Sequence, residues 1–181
     1  FLLRLKQGDV ADAHSLAEKW LAAHPNDIEA RMALGDDLLN RGQLAAALRH
    51  YEAVLLKQPQ NPNILNNVAN IQDALKDPRA EETARHAYYL RPSDPQIADT
   101  LGYLLLRQGN DRAQALSLLR QAHANSPQDR QIGFHYARAL AENGDTAQAV
   151  SLLQSLLSAP TDFPDKAEAV RLLSRLGEKR S

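Results

Sequence analysis

Apolar residues recur along the chain at the spacing of one face of an α-helix. In the clearest stretch these residues are Leu34, Leu38 and Leu39, then, after a short gap, Leu44, Ala47, Leu48, Tyr51, Val54 and Leu55. Apolar positions three and four residues apart predict amphipathic helices, and the gap between the two runs predicts a turn. Similar pairs of runs recur along the chain, which predicts an all-α fold built from pairs of short helices.

Two residue types mark the period of these helix pairs. The prolines are Pro25, Pro59, Pro92, Pro127 and Pro160, at intervals of 34, 33, 35 and 33 residues. The alanines are Ala13, Ala47, Ala80, Ala115 and Ala149, at intervals of 34, 33, 35 and 34 residues. Because an internal period outranks length as a guide to domain organisation, we predict one continuous domain. Its parts are a truncated repeat over 1–25, repeats over 26–59, 60–92, 93–127 and 128–160, and a linker with a capping helix over 161–181.

Residues with special backbone preferences predict where the helices end and begin. The glycines that follow predicted first helices are Gly8, Gly42, Gly109 and Gly144. Glycine adopts the left-handed conformation of a helix C-terminus without strain. The second full repeat has Lys76-Asp77-Pro78 in place of this glycine, so we expect a different turn there. The predicted N-caps are Asn26, three residues before Glu29, with Asn61 before Pro62 and Asp94 before Pro95.

One helix pair of this length cannot bury its apolar face, so successive pairs must stack in linear order. Small residues predict the points where helices approach most closely. These are Gly35, Ala69, Gly102 and Ala137 on first helices, with the periodic alanines on second helices. The missing first helix of the truncated repeat predicts an exposed apolar edge near Phe1, through which copies of the chain could associate.

The C-terminal segment predicts a cap for the stack. A helix over 165–176 carries Val170, Leu173 and Leu176 on one side, with Phe163 packed beneath it. Charged residues away from that side predict a solvated outer face, which a terminal element of a repeat array needs.

The repeat resembles the tetratricopeptide repeat, whose pattern combines Leu-Gly, a spaced Ala and aromatic residue, and Pro over 34 residues. The best match has Leu34-Gly35 with Leu38, Ala47 with Tyr51, and Pro59. The tryptophan position of the family pattern is filled instead by Arg31, Leu65, Ala98 and Gly133. The resemblance implies a right-handed superhelical solenoid of antiparallel helix pairs that binds protein or peptide partners along its concave groove.

A narrower resemblance covers the C-terminal half of the chain. It rests on residues 99–105, Gln108-Gly109, 118–120, 135–137 and 163–176. These are similar to the C-terminal region of exported bacterial tetratricopeptide lipoproteins of the PrsT type, associated with exopolysaccharide production and PEP-CTERM sorting. This resemblance implies a lipid-anchored parent protein in the periplasm or at the outer membrane; the fragment alone leaves localisation open.

Composition and charge argue against several other classes of function. A formal net charge of −1 provides no field to attract nucleic acid, and no apolar run is long enough to cross a membrane. Without cysteine a catalytic thiol is impossible, and the six histidines are spread over the five predicted repeats without zinc-site spacing. His135, beside Tyr136 on a first helix, is expected to be a structural histidine bonded to a neighbouring carbonyl group. We therefore predict no enzymatic activity, cofactor or metal.

The family's inward-facing positions identify candidate partner-binding residues on the first helices. They are Met32, Asp36, Asn66, Asn67, Asn70, Asp73, Asp99, Tyr103, Arg107, Phe134 and Arg138. Asparagines offer a donor and an acceptor to a peptide backbone, but a solvated face explains them equally well. For the two aromatic residues, burial between helices is the alternative explanation. For the two arginines, the alternative is an exposed ion pair on the helix surface.

A co-chaperone role is disfavoured. Chaperone-tail binding in this family uses lysine, asparagine and arginine at positions filled here by Met32, Asp36, Asn67, Gln96 and Thr100. Only the asparagine matches, and Asp36 would repel a peptide carboxylate. We therefore predict a non-catalytic protein-interaction scaffold in bacterial exopolysaccharide or protein export; a structural spacer or a self-association module is the alternative.

Overall fold

The computed structural model describes residues 10–109, 111–158 and 162–178. These residues form ten α-helices and no β-strand. The helices are α1 (Val10–Ala23), α2 (Ile28–Asn40), α3 (Leu44–Leu55), α4 (Pro62–Ala74), α5 (Ala80–Leu90), α6 (Pro95–Gln108), α7 (Arg112–Asn125), α8 (Arg130–Asn143), α9 (Thr146–Ser158) and α10 (Lys166–Glu178). The predicted all-α fold of helix pairs followed by a C-terminal helix is confirmed. Phe1, Gly8 and Pro160, used in the predictions above, lie outside the described residues.

Two compact units, residues 1–83 and 84–181, divide the chain within α5. In the first unit α1 contacts α2, α2 packs on α3, and α3 packs on α4. In the second unit each helix from α6 to α10 packs on the next, and α8 also contacts both α6 and α10. Contacts between successive helices make each unit a stack in chain order.

The periodic alanines are buried at helix contacts. Ala13, Ala47, Ala80, Ala115 and Ala149 are all buried. Gly35 packs against the ring of Tyr51, and Gly102 packs so closely on α7 that a Cβ atom there would lie 2.8 Å from Leu119 Cγ. The small residues thus allow short helix–helix distances, as the period predicts.

The turns after the first helices use the left-handed conformation throughout. Gly42, Gly109 and Gly144 have φ angles of 71°, 69° and 93°. Lys76 adopts the same conformation with φ of 59°, so the prediction of a different turn in this repeat is wrong. The backbone N–H groups of Lys76 and Asp77 still donate to carbonyl groups of the last turn of α4. These hydrogen bonds hold a lysine in a conformation that glycine adopts at lower cost.

Helix N-termini are capped mainly by aspartate and asparagine. Asn61 and Asp94 cap α4 and α6 as predicted, each accepting hydrogen bonds from two backbone N–H groups. The cap of α2 is Asp27 rather than the predicted Asn26. Asp27 accepts from Ala30 N at 2.9 Å and from Trp20 Nε1 at 2.7 Å, so a side chain of α1 helps to hold the cap in place.

Helix α10 is rotated relative to its predicted orientation. Its buried residues are Ala169, Leu172 and Leu176, whereas Val170 is 48% exposed. Phe163 packs against the same core, with its ring centroid 6.5 Å from that of Phe134. The rotation places Leu172 toward α8 and α9, and leaves Arg171 and Arg175 on the surface.

Candidate binding surface

The first helices of the second unit, α6 and α8, and the capping helix α10 meet along one side of that unit. A polar cluster connects them through side chains that α6, α8 and the start of α10 contribute. Its members are Asp99, Tyr103, Gln131, His135, Arg138 and Asp165.

His135 is at the centre of the polar cluster and is buried with Asp99, each being 6% exposed. His135 Nδ1 lies 2.9 and 2.8 Å from the two Asp99 carboxylate oxygens. Gln131 Oε1 accepts from the Asp165 backbone N–H, which orients its amide so that Nε2 donates to His135 Nε2 at 2.8 Å. This arrangement places a proton on His135 Nδ1 for donation to Asp99.

Burial and hydrogen bonding act in opposite directions on Asp99. Burial raises the pKa of the Asp99 carboxyl group, and the hydrogen bond from His135 opposes that rise. Asp165 completes the cluster, because its Oδ2 accepts from Gln131 Nε2 at 2.5 Å and lies 3.4 Å from His135 Nε2. The buried carboxylate and imidazole are therefore each supplied with polar partners, as burial of such groups requires.

Tyr103 is a half-buried member of the polar cluster. Its ring stacks on His135 at a centroid distance of 3.6 Å and an interplanar angle of 11°. Its hydroxyl accepts from Arg138 Nη1 at 3.0 Å, and the Arg107 and Arg138 guanidiniums lie 5.9 and 5.6 Å from the ring centroid. Burial raises the pKa of the Tyr103 hydroxyl, so it remains a neutral group. The ring and its arginine are thus held in one orientation on the surface.

A cavity of about 340 Å³ lies beside Arg138, between α8 and α10. It is lined by Phe134, Arg138, Glu168, Arg171, Leu172 and Arg175. Arg138 pairs with Glu142 at 3.1 Å and lies 3.7 Å from Glu168. The cavity thus combines an apolar part with three guanidinium groups and one carboxylate.

The candidate residues of the first unit lie on α2 and α4. Met32 packs on the hydrophobic core, and Asp36 accepts a 2.5 Å hydrogen bond from the Tyr51 hydroxyl. Asn67 also hydrogen bonds the Tyr51 side chain. Asn66 is half-buried, and its Oδ1 accepts no hydrogen bond from the described residues.

The remaining two candidates of this unit differ in exposure. Asn70 is exposed and Asp73 is half-buried, and both take part in polar interactions within the structure. Asp36 and Asn67 are therefore partly committed to the fold, and Asn70 is the most accessible asparagine of the set.

The candidate residues of the second unit divide by exposure. Phe134 is 1% exposed and belongs to the core, so burial accounts for its ring. Asp99 is buried in the polar cluster, Tyr103 and Arg138 are half-buried, and Arg107 is exposed. The structure brings Asp99, Tyr103 and Arg138 together but places Phe134 beneath the surface.

Sequence reasoning missed several members of this site. His135 was expected to bond a carbonyl group, and it bonds the Asp99 carboxylate instead. A usable signal is separation by about one repeat: Asp99–His135, Tyr103–Arg138 and Gln131–Asp165 are 36, 35 and 34 residues apart. Polar residues one period apart on first helices are therefore candidates for pairing across adjacent repeats.

In the ranges described above, no three His, Asp or Glu side chains are grouped so that they could hold a metal ion. Among the same helices, none has the length and apolar character needed to cross a bilayer.

Comparison with known proteins identifies the repeat. The tetratricopeptide repeat family profile matches residues 4–71 and 105–176, which is more than half of the chain. The chain belongs to the tetratricopeptide repeat family. The solenoid-type stacking of helix pairs within each unit agrees with this membership.

The sequence is also similar to proteins named cellulose synthase operon protein C. The protein from Komagataeibacter sucrofermentans is 27% identical over 217 residues, covering 93% of this chain and 16% of its own length. The protein from Xanthomonas axonopodis pv. citri is 28% identical over 181 residues, covering 93% of this chain and 12% of its own length. The chain thus spans only a small part of these relatives.

Solved tetratricopeptide structures share the fold. A repeat protein from Parabacteroides merdae has a TM-score of 0.78 at 18% identity, covering 97% of this chain and 70% of its own. Pseudomonas aeruginosa pilF has a TM-score of 0.74 at 19% identity, covering 99% and 82%. YrrB, described as a TPR protein with an unusual peptide-binding site, has a TM-score of 0.67 at 17% identity, covering 91% and 83%.

Proposed function

We propose that the chain is a non-catalytic scaffold that binds a protein or peptide partner through the first helices of its two units. The observation that carries this proposal is the surface of the second unit. There, adjacent first helices present a half-buried tyrosine, fixed arginines and a cavity. A stacked ring held in one orientation loses little conformational entropy on binding, which favours its use as a contact point.

The first unit offers a different set of contacts to a partner. Asn70 is exposed on α4, and the half-buried Asn66 lies one turn before it on the same helix. Amide side chains can bind the backbone of an extended peptide irrespective of its sequence. Each unit thus has polar groups on its first helices that suit a peptide.

The wider context that we propose is assembly or export of a bacterial exopolysaccharide. The support is the similarity to cellulose synthase operon proteins C, which covers most of this chain. In that context the repeats would hold a protein component of the machinery rather than act on the polysaccharide. A lipid-anchored parent associated with PEP-CTERM sorting, in the periplasm or at the outer membrane, is the further expectation from the narrower resemblance.

Site-specific crosslinking tests the binding side. A photoreactive amino acid replaces Asn70 or Arg107 on first helices, and Arg49 or Arg120 on second helices, each in the full-length parent protein. All four positions are exposed, so they are matched in accessibility. We expect the first-helix positions to crosslink one shared partner, identified by mass spectrometry, and the second-helix positions to give none.

Three results would contradict this proposal. Equal crosslinking from Arg49 and Arg120 would place the partner on the second helices. Crosslinks only between copies of the chain, with light scattering that rises with concentration, would favour the self-association module; no crosslink from any position would favour the spacer.

A further inference from the structure

The cavity between α8 and α10 has an excess of positive charge. Three of its six lining residues are arginines, and Glu168 is its only acidic lining residue. Glu142, which lies outside the lining, pairs with Arg138 on the neighbouring turn of α8. Even with both glutamates counted, the guanidinium groups outnumber the carboxylates.

Arg171 and Arg175 carry this excess because neither has a partner within the described part of the chain. No hydrogen bond or ion pair joins either side chain to a described residue. They lie one turn apart on α10, so their side chains share a face of the helix. By contrast, Arg41, Arg79 and Arg91 each pair with an aspartate. An unpaired arginine pair beside a cavity provides bidentate donors for a carboxylate.

We propose that this cavity binds an acidic peptide: a carboxylate on Arg171 and Arg175, with a neighbouring apolar side chain on the aliphatic stems of the lining arginines, above a buried floor of Phe134 and Leu172. This inference rests on the proposed function and deepens it by assigning the chemistry of the partner. The volume of about 340 Å³ falls within the range of small-ligand pockets, so it accepts one or two side chains and not a folded domain.

The apolar lining favours a peptide over other anions. A polyuronate chain or inorganic phosphate supplies negative charge but no aliphatic group to pack on the arginine stems. An acidic peptide with a leucine, isoleucine or phenylalanine beside the carboxylate supplies both, and burial of the apolar group adds to the binding free energy. The site therefore distinguishes anions by their apolar neighbours.

Peptide selection tests the predicted chemistry directly. The full chain is incubated with arrays of randomised decapeptides, one array with amidated and one with free C-termini. We expect enrichment of Asp or Glu next to an apolar residue, and the two arrays separate side-chain carboxylates from a terminal carboxylate. The same enrichment from a variant with Arg171→Gln and Arg175→Gln would overturn the proposal, as would the absence of any enrichment.

Affinity measurements on the best-selected peptide, by fluorescence anisotropy, provide a quantitative test. The Arg171→Gln/Arg175→Gln variant should raise the Kd about tenfold, since both donors to the carboxylate are lost. Glu168→Gln should lower the Kd, because it removes the acidic lining residue that repels an incoming carboxylate. A gain in affinity cannot come from damage to the fold, so an unchanged or higher Kd for Glu168→Gln counts against the proposal.

A matched control separates local from general electrostatics. Arg112 and Arg120 are exposed on α7, have no partner among the described residues, and lie outside the cavity. Arg112→Gln with Arg120→Gln removes the same charge from the same unit and should leave the Kd within about twofold. An equal increase in Kd in both double variants would show that binding depends on the overall charge of the chain, and it would overturn the proposal.

Competition identifies the occupant. Sodium polygalacturonate and inorganic phosphate are added to the bound peptide. If polygalacturonate binds more tightly than the best peptide, and this binding is lost in the Arg171→Gln/Arg175→Gln variant, the ligand of the cavity is an acidic polysaccharide and the peptide proposal is overturned. A second outcome is that, in that variant, crosslinking from Asn70 and Arg107 persists while peptide selection is unchanged from wild type. This result would support the proposed function and overturn the present inference.

Discussion

Gly102 lies where α6 comes closest to α7, and one added methyl group there tests the packing of the second unit. In Gly102→Ala the new Cβ would lie 2.8 Å from Leu119 Cγ and 3.1 Å from Leu118 Cβ. Both neighbours are buried branch or stem atoms, so relief requires movement of the helices. Overpacking of this kind costs about 1–3 kcal/mol, and the better helix propensity of alanine offsets up to about 1 kcal/mol.

We therefore expect Gly102→Ala to lower the free energy of unfolding by about 1–2 kcal/mol, measured by urea unfolding monitored by circular dichroism at 222 nm. The corresponding decrease in Tm is about 2–8 °C for a chain of this size. Gly133→Ala is the matched comparison, since its Cβ would meet the terminal methyl groups of Leu156, which can rotate away. Gly177→Ala, with nothing within 4 Å of the new atom, measures the propensity gain alone. A Gly102→Ala protein as stable as wild type, or less affected than Gly133→Ala, would refute this account of the α6–α7 contact.

Three further changes test other features of the fold. Lys76→Gly should raise the urea midpoint, by up to about 1 kcal/mol in unfolding free energy, because glycine relieves the left-handed conformation; a lower midpoint would show that the lysine side chain contributes more. Ala115→Leu should lower Tm more than Ala124→Leu, because Ala115 is fully buried and Ala124 is exposed; equal shifts would contradict the assigned helix contact. The hydrogen bond from Arg41 lowers the pKa of Asp37 below its ordinary value of 3.8, so its stabilisation is complete above that value and is lost as pH falls through the lowered pKa. Wild type should therefore lose stability more steeply than Asp37→Asn in urea titrations between pH 5 and 2, and parallel curves would argue against this ion pair.

Much of the fold follows from the spacing of small residues and prolines. Ala115 and Gly102 are buried at close contacts because only small side chains allow two helices to approach so near. The orientation of α10 does not follow in the same way. Positions 169, 172 and 176 and positions 170, 173 and 176 both have helical spacing, and Phe163 and Phe134 in the folded core favour the first set. The left-handed conformation of Lys76 could also not be predicted from the sequence, since lysine rarely occupies that region.

The candidate site was predicted only in part for a related reason. Tyr103 and Arg138 fill equivalent positions of adjacent repeats and do meet. Asp99 and His135 are 36 residues apart, one more than the local period, so matching by position pairs Asp99 with Phe134 instead. Arg171 and Arg175 lie in the capping helix, for which the repeat pattern defines no binding position. Contacts that depend on a one-residue offset or on the end of the array require the folded structure.

The bond between Asp99 and His135 also bears on how such an array can change during evolution. Copying or deleting one helix pair between α6 and α8 would leave a buried carboxylate and a buried imidazole facing new neighbours, at a cost of several kcal/mol for an uncompensated charge. Gain or loss of a helix pair is therefore disfavoured in this stretch of the chain. Variation in array length is expected elsewhere, at junctions where no buried carboxylate–imidazole pair joins one repeat to the next.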